Sequence, residues 1–257
     1  MSDDCLRSDK RENLRKGVYL LPNLVTAGGI FAGFYAIIAA TDGHFDRAAW
    51  FILLAAIFDG LDGKIARLTG TSSKFGVELD SLADVISFGV APGVLLYLWA
   101  LRPFGRLGWL AAFLYVICGA LRLARFNVQV STVESRRFIG IPIPAAACIV
   151  ASCVLLFYEL GGTGTIKMFS MVVLVFILAF LMISNIKYLS LKDPELFKRQ
   201  PFILLVGAIA LLVVVVAKPE IMLFLIGMAY MVSGPITYLI SWRKKRLAHD
   251  QSSEESA

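Results

Sequence analysis

The sequence has too few charged residues for a soluble protein. Charged residues make up 17% of the 257 positions, whereas hydrophobic residues make up 58%. An ordinary soluble domain carries about 25% charged residues. This shortage of charge excludes a soluble globular protein and indicates an integral membrane protein. Once helices of about 20 residues each are placed along the chain, we expect no room for a second, soluble domain.

Cysteine and histidine are also scarce. The four cysteines are scattered, three of them within apolar runs and none in CxxC spacing, which excludes a disulfide framework and a cysteine metal site. We interpret them as small hydrophobic residues.

The first 18 residues lack a basic segment followed by a short apolar run, so we expect no cleaved signal peptide. The net charge of +6 comes without a basic face interleaved with aromatics, which argues against a nucleic-acid partner.

Apolar runs long enough to cross a bilayer as helices recur along the whole chain. They occupy residues 19–40, 46–66, 79–101, 107–126, 142–160, 166–186, 201–217 and 219–241. The pattern predicts an all-α integral membrane protein with about eight transmembrane helices. The seventh run is short and Pro219 follows it, so a re-entrant pair is the alternative at this point. In the first run, Gly29 and Gly33 are spaced for close helix packing.

The Lys and Arg residues are divided unevenly between the two sides of this predicted bundle. With the N-terminus in the cytoplasm, 20 of the 25 lie on the cytoplasmic side and five on the opposite side. The positive-inside rule then predicts an even number of spans with both termini in the cytoplasm. We expect a polar cytoplasmic segment at 1–18, a transmembrane domain at 19–241 and a basic, then disordered, cytoplasmic tail at 242–257. The expected location is the inner, cytoplasmic membrane of the cell.

Four carboxylates interrupt the apolar pattern within residues 58–89. Asp59 and Asp62 lie on the second predicted helix, and Asp80 and Asp84 lie on the third. Since each helical residue turns by about 100°, the two members of each pair share one face. The connection between the two helices is short and rich in Ser, Thr and Gly. We therefore expect antiparallel neighbours whose acidic faces meet.

Such a cluster of carboxylates predicts a metal site. Carboxylates in a transmembrane segment are costly, and four that converge repel one another unless cations lie between them. Oxygen ligands suit Mg²⁺, Mn²⁺ or Ca²⁺, whereas Zn²⁺ favours His or Cys. We expect two divalent ions, Mg²⁺ or Mn²⁺, that clamp a pyrophosphate in a site facing the cytoplasm.

Small residues and one arginine accompany the carboxylates. Gly60, Gly63, Ala66 and Gly76 leave the helical faces bare, so that a bulky ligand can approach the backbone. Arg67 offers a forked cation suited to phosphate. An ion pathway or cation transporter is the alternative from a different class, because membrane carboxylates gather there too. That alternative does not explain Arg67 or the clustering on a single helical hairpin.

The pattern Asp59-x2-Asp62-Gly63-x2-Ala66-Arg67-x8-Gly76-x3-Asp80-x3-Asp84 resembles the complete signature of the CDP-alcohol phosphotransferase family of membrane enzymes. The resemblance implies the fold of that family and transfer of a phosphatidyl or similar group from a CDP-linked donor to an alcohol, with release of CMP. It further implies CDP-diacylglycerol as the donor, membrane lipids as the surroundings and a homodimer.

The family's residue roles are carried over only where positions match. The resemblance implies that all four aspartates are metal ligands and that Asp84 is also the general base that deprotonates the acceptor hydroxyl. Asn23, in the stretch PNLVT, is implied as a nucleotide contact, with a helix cap as the alternative. The other implied contacts to the donor are Asp59, Asp62, Gly63, Ala66, Arg67, Ser73 and Gly76.

Three further stretches resemble the serine-specific branch of the family, which implies L-serine as the acceptor. They are DSLADVISFGVAPG at 80–93, GALRLARFN at 119–127 and FIGIPIPAAA at 138–147. Glycerol 3-phosphate or another alcohol is the alternative acceptor. We expect a basic cluster near this site to bind serine's carboxylate or a donor phosphate, with snorkelling to the interface as the alternative. Its members are Arg122, Arg125, Arg136 and Arg137.

Overall fold

The computed structural model describes residues 3–69, 74–130, 140–165, 169–186, 188 and 217–254. Within these residues all regular secondary structure is helical. The helices are α1 (Asp3–Thr41), α2 (Phe45–Thr69), α3 (Lys74–Asp84), α4 (Ala91–Leu96), α5 (Arg106–Val130), α6 (Ile143–Glu159), α7 (Phe169–Ile183) and α8 (Pro219–Glu254). The prediction of an all-α protein is confirmed for the described part of the chain.

Among the residues that the structure describes, four helical stretches are long and apolar enough to cross a membrane. They are Pro22–Thr41, Phe75–Phe104, Arg106–Val128 and Pro219–Tyr238. The other three predicted runs with described helices give shorter or more charged segments: α6 has 17 residues, α7 has 15, and α2 carries six charged side chains in 25 residues. The predicted run at 201–217 lies outside the described residues, except for its last position. The count of eight spans and the orientation of the termini stay predictions.

The third membrane passage contains two wide helical turns. α3 does not stop after Asp84 but continues through a π-helical turn, Val85–Val90, into α4, and a second π-helical turn follows at Tyr97–Leu101. In such a turn each N–H bonds to the carbonyl five residues earlier, so the turn holds one residue more than an α-helical turn. The first of these turns begins directly after the last of the four aspartates.

Small side chains allow α1 to pack closely on its neighbours. Ala32, Ala36 and Ala39 of α1 are buried, as are Ala48 and Ala49 of α2, and the two helices pack along their length. Lipid tails are as apolar as a leucine side chain, so membrane helices associate through close van der Waals contact rather than through the hydrophobic effect. Alanine-rich faces permit this contact because they let the two backbones approach.

The glycines of α1 bring this helix into contact with the π-helical turn after Asp84. A Cβ atom at Gly33 would lie 2.4 Å from the Ser87 hydroxyl oxygen. The buried Ser87 hydroxyl donates a hydrogen bond of 3.1 Å to the carbonyl of Gly29. The predicted packing role of Gly29 and Gly33 is therefore confirmed, and it sets the distance between α1 and the aspartate-bearing helix.

α6 lies inside the bundle and packs against α2 and α8. Beyond its C-terminal end, Lys218 donates a hydrogen bond to Glu159, which raises the pKa of Lys218 above its ordinary value. Cys118 and Cys153 are buried and Cys148 is partly buried, all three with free thiols, as expected for small hydrophobic residues. The side chain of the fourth cysteine, Cys5, lies outside the described residues.

Candidate active site

The acidic faces of α2 and α3 meet, as the helical spacing predicts. Carboxylate oxygens of Asp59, Asp62 and Asp80 all lie within 4.8 Å of one another. Asp62 is the most enclosed of the three, with 7% of its surface exposed. The cavity around this group is lined by α1, α2 and α3, since Thr26 and Ala55 border it together with the aspartates. Two sequence-distant pairs thus form one acidic site inside the bundle.

Asp84 lies beside this group of three rather than in it. It lines the same cavity as Asp59, Asp62 and Asp80. Asp84 also interacts electrostatically with the guanidinium of Arg122 on α5. Asp84 therefore belongs to the acidic cavity and also interacts with a buried cation, which a helical wheel of α3 alone does not reveal.

The geometry fits a divalent cation. The carboxylate oxygens of Asp59, Asp62 and Asp80 lie within 4.8 Å of one another, and negative charges this close require a counter-charge. The donor atoms are carboxylate oxygens, the ligands that Mg²⁺ and Mn²⁺ prefer. Asp59, Asp62 and Asp80 are the residues placed to hold such an ion, whereas the identity and number of ions stay predictions.

Asp62 is held in place by a residue of α1. The Thr26 hydroxyl lies 2.8 Å from the carboxylate of Asp62 and 3.1 Å from the carbonyl of Pro22, so its single proton is shared between two acceptors. The backbone N–H of Gly63 donates to the same carboxylate. Only 5% of the Thr26 surface is exposed. These contacts leave the Asp62 side chain little freedom to turn.

Sequence reasoning missed Thr26 as part of the site. The residue closes the stretch PNLVT, of which only Asn23 was assigned a role. A threonine hydroxyl inside a helix can bond back to the carbonyl four residues earlier, and Thr26 does so with Pro22. Its second contact depends on how α1 sits against α2, which the local sequence does not state.

Replacing Thr26 with valine is expected to weaken Mn²⁺ binding by the purified protein about tenfold. Valine keeps the shape of threonine but donates no hydrogen bond, and loss of a group that orients a metal ligand typically lowers affinity by about 10- to 100-fold. A Mn²⁺ titration followed by electron paramagnetic resonance measures the dissociation constant. Thr26→Ser, which keeps the hydroxyl, serves as the control and restores binding. Equal affinity for all three proteins would show that Thr26 does not orient Asp62.

The predicted nucleotide contacts are only partly described. Gly63, Ala66 and Gly76 are partly buried, whereas Gly60 is exposed and a Cβ there would meet open space. Asn23 is partly buried on α1. The alternative that it caps a helix is wrong, because α1 begins at Asp3 and encloses Pro22 and Asn23 in its interior. The side chain of Arg67 and the whole of Ser73 lie outside the described residues.

The predicted basic cluster separates into different environments. Arg122 is 8% exposed, its Nε has no hydrogen-bond partner among the described residues, and its guanidinium interacts electrostatically with Asp84. Arg125 is exposed. It donates a hydrogen bond of 2.6 Å to the side chain of Asn185, just after α7, and one of 3.4 Å to the carbonyl of Ile183, the last residue of α7. Of the pair, Arg122 is therefore the one that is buried and interacts with an aspartate of the acidic site. Arg136 and Arg137 lie outside the described residues.

A second contact between α5 and α3 lies next to Asp80. Asn127 donates a hydrogen bond of 2.8 Å to the hydroxyl of Ser81, which in turn donates 3.0 Å to the carbonyl of Val77. This polar contact ties the end of α5 to the helix that carries Asp80 and Asp84. It helps explain why Arg122, about one and a half turns before Asn127, interacts with Asp84.

Comparison with known proteins adds independent findings. Residues 19–183 match the family model for CDP-alcohol phosphatidyltransferase. The chain is 45% identical over 225 residues to the CDP-diacylglycerol–serine O-phosphatidyltransferase of Helicobacter pylori, covering 86% of this chain and 92% of that protein. It is 36% identical over 228 residues to the enzyme of the same name from Methanocaldococcus jannaschii, covering 88% and 98%. It is 41% identical over 170 residues to the archaetidylserine synthase of Methanothermobacter thermautotrophicus, covering 65% and 69%.

Proposed function

The chain belongs to the CDP-alcohol phosphatidyltransferase family, and we propose that it transfers the phosphatidyl group of CDP-diacylglycerol to the hydroxyl of L-serine. The products are phosphatidylserine and CMP. The observation that carries this proposal is the acidic group of Asp59, Asp62 and Asp80 with Asp84 and a buried arginine beside it. Relatives that share most of their length with this chain carry the corresponding name.

The reaction needs a base, and it needs the nucleophile and the leaving group in line at the phosphorus. The hydroxyl oxygen of serine forms a bond to the phosphorus that bears the diacylglycerol, and the bond from that phosphorus to the oxygen of CMP breaks. Asp84 accepts the hydroxyl proton, and CMP leaves with the electron pair. The place of Asp84 in the cavity of the other three aspartates supports this role, because the acceptor must approach a carboxylate and the pyrophosphate at once.

Asp59, Asp62 and Asp80 are the residues proposed to hold the divalent cation, Mg²⁺ or Mn²⁺, most simply as two ions with Asp84 as a further ligand. When bound, the cation supplies positive charge to the pyrophosphate and to the leaving oxygen. Thr26 and the N–H of Gly63 orient Asp62 for this purpose. The proposed contacts to the rest of the donor are Asn23, Gly63, Ala66, Arg67, Ser73 and Gly76.

Arg122 is the residue that we assign to the carboxylate of serine. A guanidinium with an unpartnered Nε in a buried position is placed to bind a carboxylate, and charge-assisted hydrogen bonds of this kind are about twice as strong as neutral ones. Arg125 is engaged by Asn185 and serves the packing of α5 against α7. Arg136 and Arg137 stay candidates for a donor phosphate.

The protein spans a membrane, and its proposed arrangement has eight spans with both termini and the active site on the cytoplasmic side. The uneven distribution of Lys and Arg supports this orientation. The same proposal places the protein in the cytoplasmic membrane as a homodimer. CDP-diacylglycerol would then reach the site from the inner leaflet, and serine from the cytosol.

CMP release by the purified protein tests the proposed function. With CDP-diacylglycerol and Mn²⁺ or Mg²⁺, we expect CMP release that depends on L-serine and is abolished by EDTA, because the clustered carboxylates need a cation to accept a pyrophosphate. Glycerol 3-phosphate, inositol phosphate and no acceptor are the comparison reactions. Release with glycerol 3-phosphate instead of serine would retain the chemistry and overturn the acceptor. No release from a folded sample under any condition would contradict the enzyme assignment.

A further inference from the structure

The π-helical turn after Asp84 borders the cavity of the four aspartates. Ser87 and Phe88 of this turn line the cavity together with the carboxylates. Both residues are buried. Because α3 carries Asp80 and Asp84 directly into the turn, the contacts that hold the turn also set the direction of these two side chains.

The carbonyl of Phe88 lacks the donor that an α-helix would give it. That donor is the N–H of the residue four positions later, which is Pro92 and has no N–H. The helix is also widened here, since the N–H of Ala91 bonds to the carbonyl of Ile86, five residues earlier. A buried carbonyl needs a donor, and a side chain of a neighbouring helix can supply one at this point.

Tyr115 of α5 supplies such a donor. Its hydroxyl donates a hydrogen bond of 3.1 Å to the carbonyl of Phe88, and its side chain is fully buried. The next residue, Val116, packs closely on the same passage, because a Cβ atom at Gly93 would lie 2.7 Å from one of its side-chain carbons. α5 is therefore fixed against this passage, and the Tyr115 hydroxyl holds the turn at a set distance from it.

A second hydroxyl ties the same turn to α1, because Ser87 donates to the carbonyl of Gly29. Adjacent residues of the turn are thus bonded to two different helices, Ser87 to α1 and Phe88 to α5. Two such attachments resist a rotation of the turn about the helix axis. A rotation there would move the carboxylate of Asp84, which lies about one helical turn earlier, within the cavity.

We propose that Tyr115 is a positioning residue for Asp84. By binding the carbonyl of Phe88, it fixes the direction in which the Asp84 carboxylate enters the cavity. Tyr115 does not line the cavity itself, so it acts through the backbone of the turn. This inference rests on the proposed function, in which Asp84 is the base, but it does not depend on which alcohol is the acceptor.

The test measures kcat and KM in the CMP-release assay. Tyr115→Phe loses only the hydroxyl and is expected to lower kcat about tenfold, because a small displacement of a reacting group is costly. The KM values for L-serine and CDP-diacylglycerol stay within about twofold, since the bond orients the base and binds neither substrate. In the Asp84→Asn background there is no base to orient, so the same substitution should lower kcat by less than about twofold.

Tyr158→Phe is the matched control. The Tyr158 hydroxyl also donates to a backbone carbonyl, that of Gly164, at 3.3 Å in the segment after α6. The variant therefore loses the same kind of bond at a residue that does not line the cavity, and its kcat should stay within about twofold of the wild type. Ser87→Ala removes the second attachment of the turn. It is expected to lower kcat as Tyr115→Phe does, again without a further loss in the Asp84→Asn background.

The outcomes separate this inference from the function on which it rests. A wild type that releases no CMP with any acceptor would overturn both. An active wild type together with a Tyr115→Phe variant of unchanged kcat would overturn the role of Tyr115 alone. An equal fall of kcat in the wild-type and Asp84→Asn backgrounds would also overturn it, because a loss of stability acts in both. A Tyr115→Phe protein that does not fold would likewise assign this hydroxyl to stability and not to positioning.

Discussion

Asp84→Asn lowers kcat by at least about a hundredfold while leaving the KM for CDP-diacylglycerol nearly unchanged. A positioned general base contributes typically 10²- to 10⁴-fold to a rate, and asparagine cannot accept the hydroxyl proton. The substitution preserves size and hydrogen-bonding shape, so α3 and its packing should persist. The measurement is CMP release at saturating donor and L-serine, with kcat and KM determined separately.

The matched control for this variant is Glu78→Gln. Glu78 lies on the same helix, on an exposed position, and its change removes the same charge. Mn²⁺ binding distinguishes the two roles assigned to Asp84: if the base role dominates, Asp84→Asn should retain Mn²⁺ binding better than Asp62→Asn. High turnover in Asp84→Asn would remove this residue from the role of base. Loss of Mn²⁺ binding equal to that of Asp62→Asn would assign it to the metal site instead.

Arg122→Gln raises the KM for L-serine by about 10- to 100-fold. The expected loss corresponds to one hydrogen bond from a charged donor, which is worth about 1.5–3 kcal/mol, and each 1.4 kcal/mol is about a tenfold change. Arg122 is buried beside Asp84, so no solvent cation replaces it. Arg122→Lys keeps the charge but loses the fork, and should lie between the wild type and glutamine. Serine titrations at saturating CDP-diacylglycerol measure the effect.

Arg106→Gln is the control for Arg122. Arg106 is exposed at the opposite end of α5 and lies far along the helix from the acidic site. Arg106→Gln should change neither the KM for L-serine nor the KM for CDP-diacylglycerol. A variant of Arg122 with normal KM for serine but raised KM for CDP-diacylglycerol would place this arginine on a donor phosphate, the other role predicted for the basic cluster.

The meeting of the four aspartates is the part of the site that the sequence predicts well. Helical spacing places Asp59 with Asp62 and Asp80 with Asp84, and a short connection makes the two helices neighbours. Both the helical spacing and the short connection concern residues close together in the sequence, so they can be predicted without knowing the rest of the fold. The same applies to Gly33, whose lack of a side chain predicts a close approach before the partner, Ser87, is known.

The contacts between distant helices could not be predicted in this way. Thr26 reaches Asp62 only because α1 sits on α2 at one particular rotation and height. Arg122 and Arg125 are three residues apart and look equivalent in sequence, yet packing of α5 buries one and leaves the other at Asn185. Periodicity gives the face of a helix, but not the partner of each residue on that face.

Helix ends were the other source of error. Pro22 and Asn23 resemble the beginning of a helix, because proline is favoured in a first turn and asparagine as a cap. In the structure α1 runs through both residues from Asp3. A proline inside a helix removes one hydrogen bond, and the carbonyl of Pro22 accepts the Thr26 hydroxyl in this region. A local preference was therefore overridden by the continuation of the helix.

The π-helical turn at Val85–Val90 gives the third passage a tolerance to changes in chain length. The turn holds one residue more than an α-helical turn, so a chain one residue shorter at this point can close it as ordinary α-helix without rotating Asp80 and Asp84 relative to α4. The interval between Asp59 and Asp62 has no such spare residue. A deletion there turns one carboxylate by about 100° away from the other. Natural variation in length is therefore expected after the last aspartate and not between the first two.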